Sequence, residues 1–174
     1  MQYNERTPTG FNRPVQATID HKQPQKMATH TQIIYHIIFS TKHREKTLDK
    51  DTRKEFFQYI WGILKNKKCH LYRINGVEDH LHILTHVHPT IAISELVKDV
   101  KVASAVWIKE NNIFKNFSSW QEGYGAFTCN FKDKDGLIEY IKNQETHHQN
   151  FSFEDEYRAL LLEHGIEFEE KYLF

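Results

Sequence analysis

Asp79-His80-Leu81-His82-Ile83-Leu84-Thr85-His86-Val87-His88 alternates polar and apolar residues, the period of a strand with one face on a core. Successive strand side chains point to opposite faces, so His80 and His82 project from one face as close neighbours. Two imidazoles held side by side can share one divalent cation, histidine being the commonest metal ligand. On the pair alone, two ordinary polar positions on a wet sheet face explain the pattern equally well.

Outward from this strand, the pattern changes period in a definite order. Ile33 to Thr41 is rich in β-branched and aromatic residues and predicts a strand. Asp49 to Lys68 carries Phe56, Phe57, Ile60, Trp61, Ile63 and Leu64, a helical stripe. His70 to Asn75 predicts a second strand, with a turn at Asn75-Gly76, and the histidine strand ends at Pro89-Thr90. Ile93, Leu96, Val97, Val100 and Trp107 mark a second helix running to about Glu110. Tyr124 to Phe131 predicts a fourth strand. Asp133 or Asp135 can cap a third helix with Leu137, Ile138 and Ile141, and a short helix over 154–162 ends near His164-Gly165. The order βαββαβ predicts a ferredoxin-like α+β fold: an antiparallel sheet with two helices on one face, plus an additional C-terminal tyrosine-bearing helix.

The 174 residues suit one domain, 39% hydrophobic content supports a core, and 26% is charged. Residues 1–26 hold three of the four prolines and no hydrophobic periodicity, which predicts a disordered leader. A catalytic domain is expected over 27–151 and an acidic helix and tail over 152–174. Cys69 and Cys129 form no CxxC, which fits a reducing cytoplasmic compartment, and no apolar run is long enough to span a bilayer. Formal net charge is zero, yet residues 27–151 carry 17 bases against 14 acids, while the segment from Ser152 onward holds seven acids and two bases. That asymmetry excludes an indiscriminate polycation and leaves a weak leaning of the middle toward a polyanion.

On the third helix, Tyr140 and Gln144 lie four apart and share a face. A tyrosine hydroxyl can form a covalent intermediate, and an amide oxygen can serve beside two imidazoles as a ligand. For an arbitrary Tyr-x-x-x-Gln pair, an amphipathic tyrosine over the core with a solvated glutamine is the commoner arrangement.

The ordered blocks Asp79-His80-Leu81-His82, Trp120-Gln121-Glu122-Gly123-Tyr124-Gly125-Ala126-Phe127 and Tyr140-Ile141-Lys142-Asn143-Gln144-Glu145-Thr146-His147-His148 resemble the single-tyrosine HUH transposases of insertion-sequence-200-like elements. Their domesticated relatives associated with repetitive extragenic palindromes share the resemblance, which spans about Thr31 to Glu156. It implies a Mg²⁺- or Mn²⁺-dependent enzyme that cuts and rejoins single-stranded DNA. His80, His82 and Gln144 would be the metal ligands and Tyr140 the nucleophile, leaving a 5′-phosphotyrosine and a free 3′-hydroxyl. The link conserves the phosphodiester's energy, which agrees with the missing GxxxxGK[ST] loop. It also implies hairpin DNA ends as partners and a homodimer in which one subunit's tyrosine helix can serve the other's histidines.

No single general base is legible beside Tyr140; Lys142 or the field of the cation are candidates. Lys98, Lys101 and Lys142 could meet DNA phosphates, although solvated charged faces explain them equally. His86 and His88 share the face of His80 and His82 but are expected not to ligate, and His147 and His148 carry no assignable role. Trp120, Tyr124 and Phe127 are expected in the core, with base stacking as the alternative. The tail Ile166-Glu167-Phe168-Glu169-Glu170-Lys171-Tyr172-Leu173-Phe174 alternates and could pair as an edge strand or pack on a partner. Two other functions fit the same sheet: an idle or repurposed nucleic-acid-binding module, and a metal-dependent phosphodiesterase that uses water.

Overall fold

The computed structural model describes residues 30–149 and 151–173; the expected disordered leader, residues 1–26, lies outside them. The elements run β1 (Ile34–Ser40), α1 (Lys50–Asn66), β2 (His70–Gly76), β3 (His80–His86), α2 (Ile93–Asn111), β4 (Gly125–Thr128), α3 (Lys134–Lys142), α4 (Gln144–His147) and α5 (Phe153–Glu163). The strands form one sheet in the order β2-β3-β1-β4, antiparallel throughout. This is the ferredoxin-like arrangement, with the fourth strand shorter than its sequence pattern suggests.

Alternation along β1 and β3 sorts side chains onto two faces. Ile37, Phe39, Leu81 and Ile83 point to one side, where they form a single core with Phe56, Ile60 and Leu64 of α1 and Leu96, Val97, Val100 and Ile108 of α2. At roughly 25 cal/mol per Å² of buried apolar surface, this layer is the main source of stability. Trp120 closes it, its indole N–H donating to the Ser104 hydroxyl at 3.0 Å. Gly76 ends β2 where a Cβ would lie 2.2 Å from the His80 carbonyl oxygen; only a bare backbone fits the β2–β3 hairpin there.

The other face carries His36, His80 and His82, and it is not wet. Ile141 of α3 packs on Ile34 and Leu84; Phe153 and Leu161 of α5 pack on Ile38 and Phe127. The expectation of an open polar face therefore fails, because α3, α4 and α5 form a second layer over it. Helix α5 starts at Ser152, whose hydroxyl accepts from the Asp155 backbone N–H, and stops at Gly165, which takes φ 64°. The tail forms no strand among the described residues: Phe168 and Leu173 pack against the Ile38–Phe127 cluster of their own chain. Among the described residues, no helix is long and apolar enough to cross a membrane.

Candidate active site

Register brings the histidines together. Ser40 pairs with His80, Ile38 with His82 and His36 with Leu84, so His36 stands diagonally across from His82 on the same face. Both members of the His80/His82 pair are fully buried, at 0% exposure. The second layer adds Tyr140 from α3, Gln144 from α4, His148 just after it, and Glu156 from the first turn of α5.

Glu156 is the hub. Its Oε1 accepts from the Tyr140 hydroxyl and from Gln144 Nε2 at 3.0 Å. Its Oε2 lies 2.9 Å from His148 Nε2, 3.4 Å from His82 Nε2 and 3.5 Å from His80 Nε2. One ligand atom each from His80, His82, His148 and Glu156 falls within 4.8 Å of the others.

The far side of the ring fixes the tautomer of His80 and of His148. His80 Nδ1 stands 2.6 Å from the Asp79 carboxylate and His148 Nδ1 stands 2.8 Å from the Phe151 carbonyl. Both partners can only accept, so Nδ1 carries the proton and donates it. His82 Nδ1 lies 2.9 Å from His36 Nε2. All three Nε2 atoms are left facing inward, the arrangement by which outer partners orient metal-binding histidines.

Burial sets the charges. It holds the His82 imidazole down at about 4 and His36 well below its ordinary value, with the like charge of His82 adding to the effect. Burial would lower His80 too, but its hydrogen bond with Asp79 and the Glu156 carboxylate close by outweigh it and raise that imidazole. Glu156 would rise on burial, yet the imidazoles of His148, His80 and His82 close beside it keep its carboxyl far below the usual range. The Tyr140 phenol is pushed well above 10 by burial and by the Glu156 charge.

His80 Nε2, His82 Nε2, His148 Nε2, Gln144 Oε1 and Glu156 Oε2 are buried with no aligned hydrogen-bond partner. Buried polar atoms left unmatched are costly, and five in one place are what a cation site looks like before the cation is considered. The residues fit a divalent ion. Beside them opens a cavity of about 810 Å³, lined by His36, Phe127, Tyr140, His147, Phe151 and Glu156 among others.

Residues 29–144 match the family profile described as "Transposase IS200 like", more than half of the chain. The chain belongs to the IS200-like transposase family. Transposases for insertion sequence element IS200 from Salmonella typhimurium and Salmonella typhi are each 24% identical over 115 residues, covering 63% of this chain and 75% of theirs. Among solved structures, a transposase-like protein from Deinococcus radiodurans R1 is similar at TM-score 0.54 and 22% identity, over 69% of this chain and 96% of that one. A REP-associated tyrosine transposase bound to a REP hairpin also superposes at TM-score 0.54, with 13% identity, over 71% and 73%. At these identities the two structures speak for the fold, while membership of the transposase family places the chain among enzymes that cleave and join nucleic acid.

The expected residues His80, His82, Tyr140 and Gln144 of this transposase-family chain thus converge, and they do so within one chain. Lys98 and Lys101 do not join them. Both lie on α2, across the sheet, and the Lys101 ammonium donates to the Gln121 and Gly123 carbonyls at 2.5 and 2.7 Å. Lys142 is exposed and pairs with Glu139. His86 is half-buried at the strand's end, and the His88 ring bonds the Thr90 hydroxyl. Trp120 and Phe127 are buried, whereas Tyr124 is 38% exposed and so not a core residue.

Sequence reasoning missed His36, gave His148 no role and overlooked Glu156. A signal for Glu156 existed: it falls on the stripe of Phe153, Leu160 and Leu161, an acid on an apolar helical face.

Proposed function

We propose that this chain cuts and rejoins single-stranded DNA through a covalent tyrosine intermediate. The observation that carries the reading is that the Tyr140 hydroxyl and the His80 and His82 imidazoles meet on one carboxylate, Glu156.

His80 and His82 would hold a divalent cation, Mg²⁺ or Mn²⁺, with Gln144 in the same buried group. Such an ion supplies positive charge where the non-bridging phosphate oxygens gather negative charge. The Tyr140 oxygen attacks phosphorus, a new O–P bond forms, and the bond to the 3′ oxygen breaks. Glu156 Oε1 accepts the phenol's hydrogen bond and so orients the attacking oxygen; the phenol's proton passes to water, and the departing 3′ oxygen takes one from water. The products are a 5′-phosphotyrosine and a free 3′-hydroxyl, and attack by another 3′-hydroxyl reverses the sequence. The cavity beside Tyr140 gives an unpaired strand a way in, and the similarity to a transposase bound to a REP hairpin favours hairpin ends as substrate. The approach of Tyr140 to His80 and His82 within one chain favours cleavage by a single copy, and a homodimer would serve to hold two DNA ends. The free thiols of Cys69 and Cys129 favour a reducing, cytoplasmic setting for that activity.

The test is incubation with single-stranded DNA hairpins and Mn²⁺ or Mg²⁺, followed by a denaturing gel. A DNA–protein adduct that vanishes in Tyr140→Phe supports the proposal. Cleavage that persists in Tyr140→Phe points instead to a phosphodiesterase using water, and binding without cleavage to a nucleic-acid-binding module.

A further inference from the structure

We propose that His148 and Glu156 are direct ligands of the cation, so that the site is a three-histidine, one-carboxylate centre selective for Mn²⁺-type transition ions over Mg²⁺. The proposal rests on the cation reading above and deepens it. Both residues lie beyond the family-matched span, which ends at Gln144.

Distances carry the argument. Ligand atoms about 2.1 Å from a shared ion stand roughly 3.0 Å apart when they subtend a right angle and roughly 3.4 Å apart at tetrahedral corners. Glu156 Oε2 lies 2.9, 3.4 and 3.5 Å from the Nε2 atoms of His148, His82 and His80, so each imidazole nitrogen stands from the carboxylate oxygen at the spacing of neighbouring ligands on one ion. None of them has an aligned hydrogen bond, although a carboxylate this near three imidazoles would readily take one were the rings turned to donate. The rings are not so turned. Asp79 and Phe151 hold the Nδ1 protons of His80 and His148, and His36 stands ready to hold that of His82.

Gln144 then has a different part to play. Its Nε2 donates to Glu156 Oε1, the oxygen that faces Tyr140 rather than the His80, His82 and His148 nitrogens, so it is a positioning residue that aims Oε2 at the centre. Three imidazole nitrogens and one carboxylate oxygen make a donor set suited to Mn²⁺, Co²⁺ or Zn²⁺, whereas Mg²⁺ demands oxygen.

The experiment is calorimetric titration of the full, DNA-free chain with MnCl₂ and with MgCl₂, joined to pulsed EPR of the Mn²⁺ form. Mn²⁺ should bind at least about tenfold tighter than Mg²⁺, with three histidine nitrogens coupled to the electron spin. His148→Ala and Glu156→Gln should each weaken Mn²⁺ by about a hundredfold or more, and Gln144→Ala by only about tenfold, the scale of an outer partner. His148→Ala should also remove one nitrogen coupling. Wild-type affinity in His148→Ala and Glu156→Gln, with loss confined to His80→Ala and His82→Ala, overturns this proposal and leaves the two-histidine reading standing. Wild-type affinity in all four overturns both. Because the nitrogen count is read on the wild-type chain, two couplings instead of three overturn the proposal even if the variants fail to fold.

Discussion

His36→Phe isolates the role of a residue that stands behind His82. The ring is 2% exposed, stacks on His82 with centroids 5.2 Å apart, and presents Nε2 to His82 Nδ1 at 2.9 Å. Phenylalanine keeps the stacked ring and removes the acceptor. His82 then has two options. It can keep its Nδ1 proton, now buried without a partner at a cost of about 1–3 kcal/mol. Alternatively it can move the proton to Nε2, where Glu156 Oε2 waits 3.4 Å away. In chelator the second option relieves the first, so urea unfolding should change by less than about 1 kcal/mol. With cation, the second option blocks the lone pair, and affinity should fall about 10–100-fold, which is about 1.4–2.7 kcal/mol. The signature is therefore lost Mn²⁺ affinity, measured by calorimetry, with stability in chelator retained. Unchanged affinity in a folded His36→Phe chain would refute the claim that His36 sets the His82 tautomer.

Three further perturbations address the layer that carries the tyrosine. Ile141 is fully buried against Ile34 and Leu84, so Ile141→Ala should cost about 2–5 kcal/mol in urea unfolding and depress adduct formation; a cost near zero would mean α3 is held by something else. Asn75 Nδ2 donates to the Ile141 and Lys142 carbonyls at 2.9 and 3.0 Å, closing the end of α3. Asn75→Ala should lose about 1 kcal/mol and speed amide exchange in α3, and unchanged exchange there would count against the clamp. For pH, His82 titrates near 4 when folded and near 6.5 when unfolded. The unfolded chain therefore binds the proton first, and this stability is full above about 6.5 and is lost as pH falls toward 4. His36, also lowered, acts in the same sense, while the raised His80 opposes it. The cation-free chain should thus weaken from pH 7 to pH 5, and His82→Asn should flatten the slope; a slope unaffected by that substitution would argue that His82 is not buried neutral.

The sheet and its first helical layer are legible in the sequence because each element repeats one period for its whole length. His80 and His82 are legible for the same reason, whereas Tyr140 and Gln144 stand out only through the resemblance of the whole block. The step from Tyr140 to Gln144 crosses the break between α3 and α4 at Asn143, and α4 ends at His147, so spacing alone does not tell whether His147 or His148 turns inward. Glu156 sits in the acidic run Glu154-Asp155-Glu156, which reads as a charged first turn favoured by the helix dipole. His36 becomes meaningful only through the β1–β3 register, which no local pattern states.

The two faces of the sheet are covered by unlike materials: aliphatic and aromatic side chains beneath α1 and α2, and imidazoles with a carboxylate beneath α4 and α5. One covering holds in any buffer, while the other, with the proposed cation bound, would be held together partly by that ion. A freshly made chain could thus be complete on one side and unfinished on the other, and scarcity of a trace element would keep a DNA-cutting protein disarmed without unfolding it.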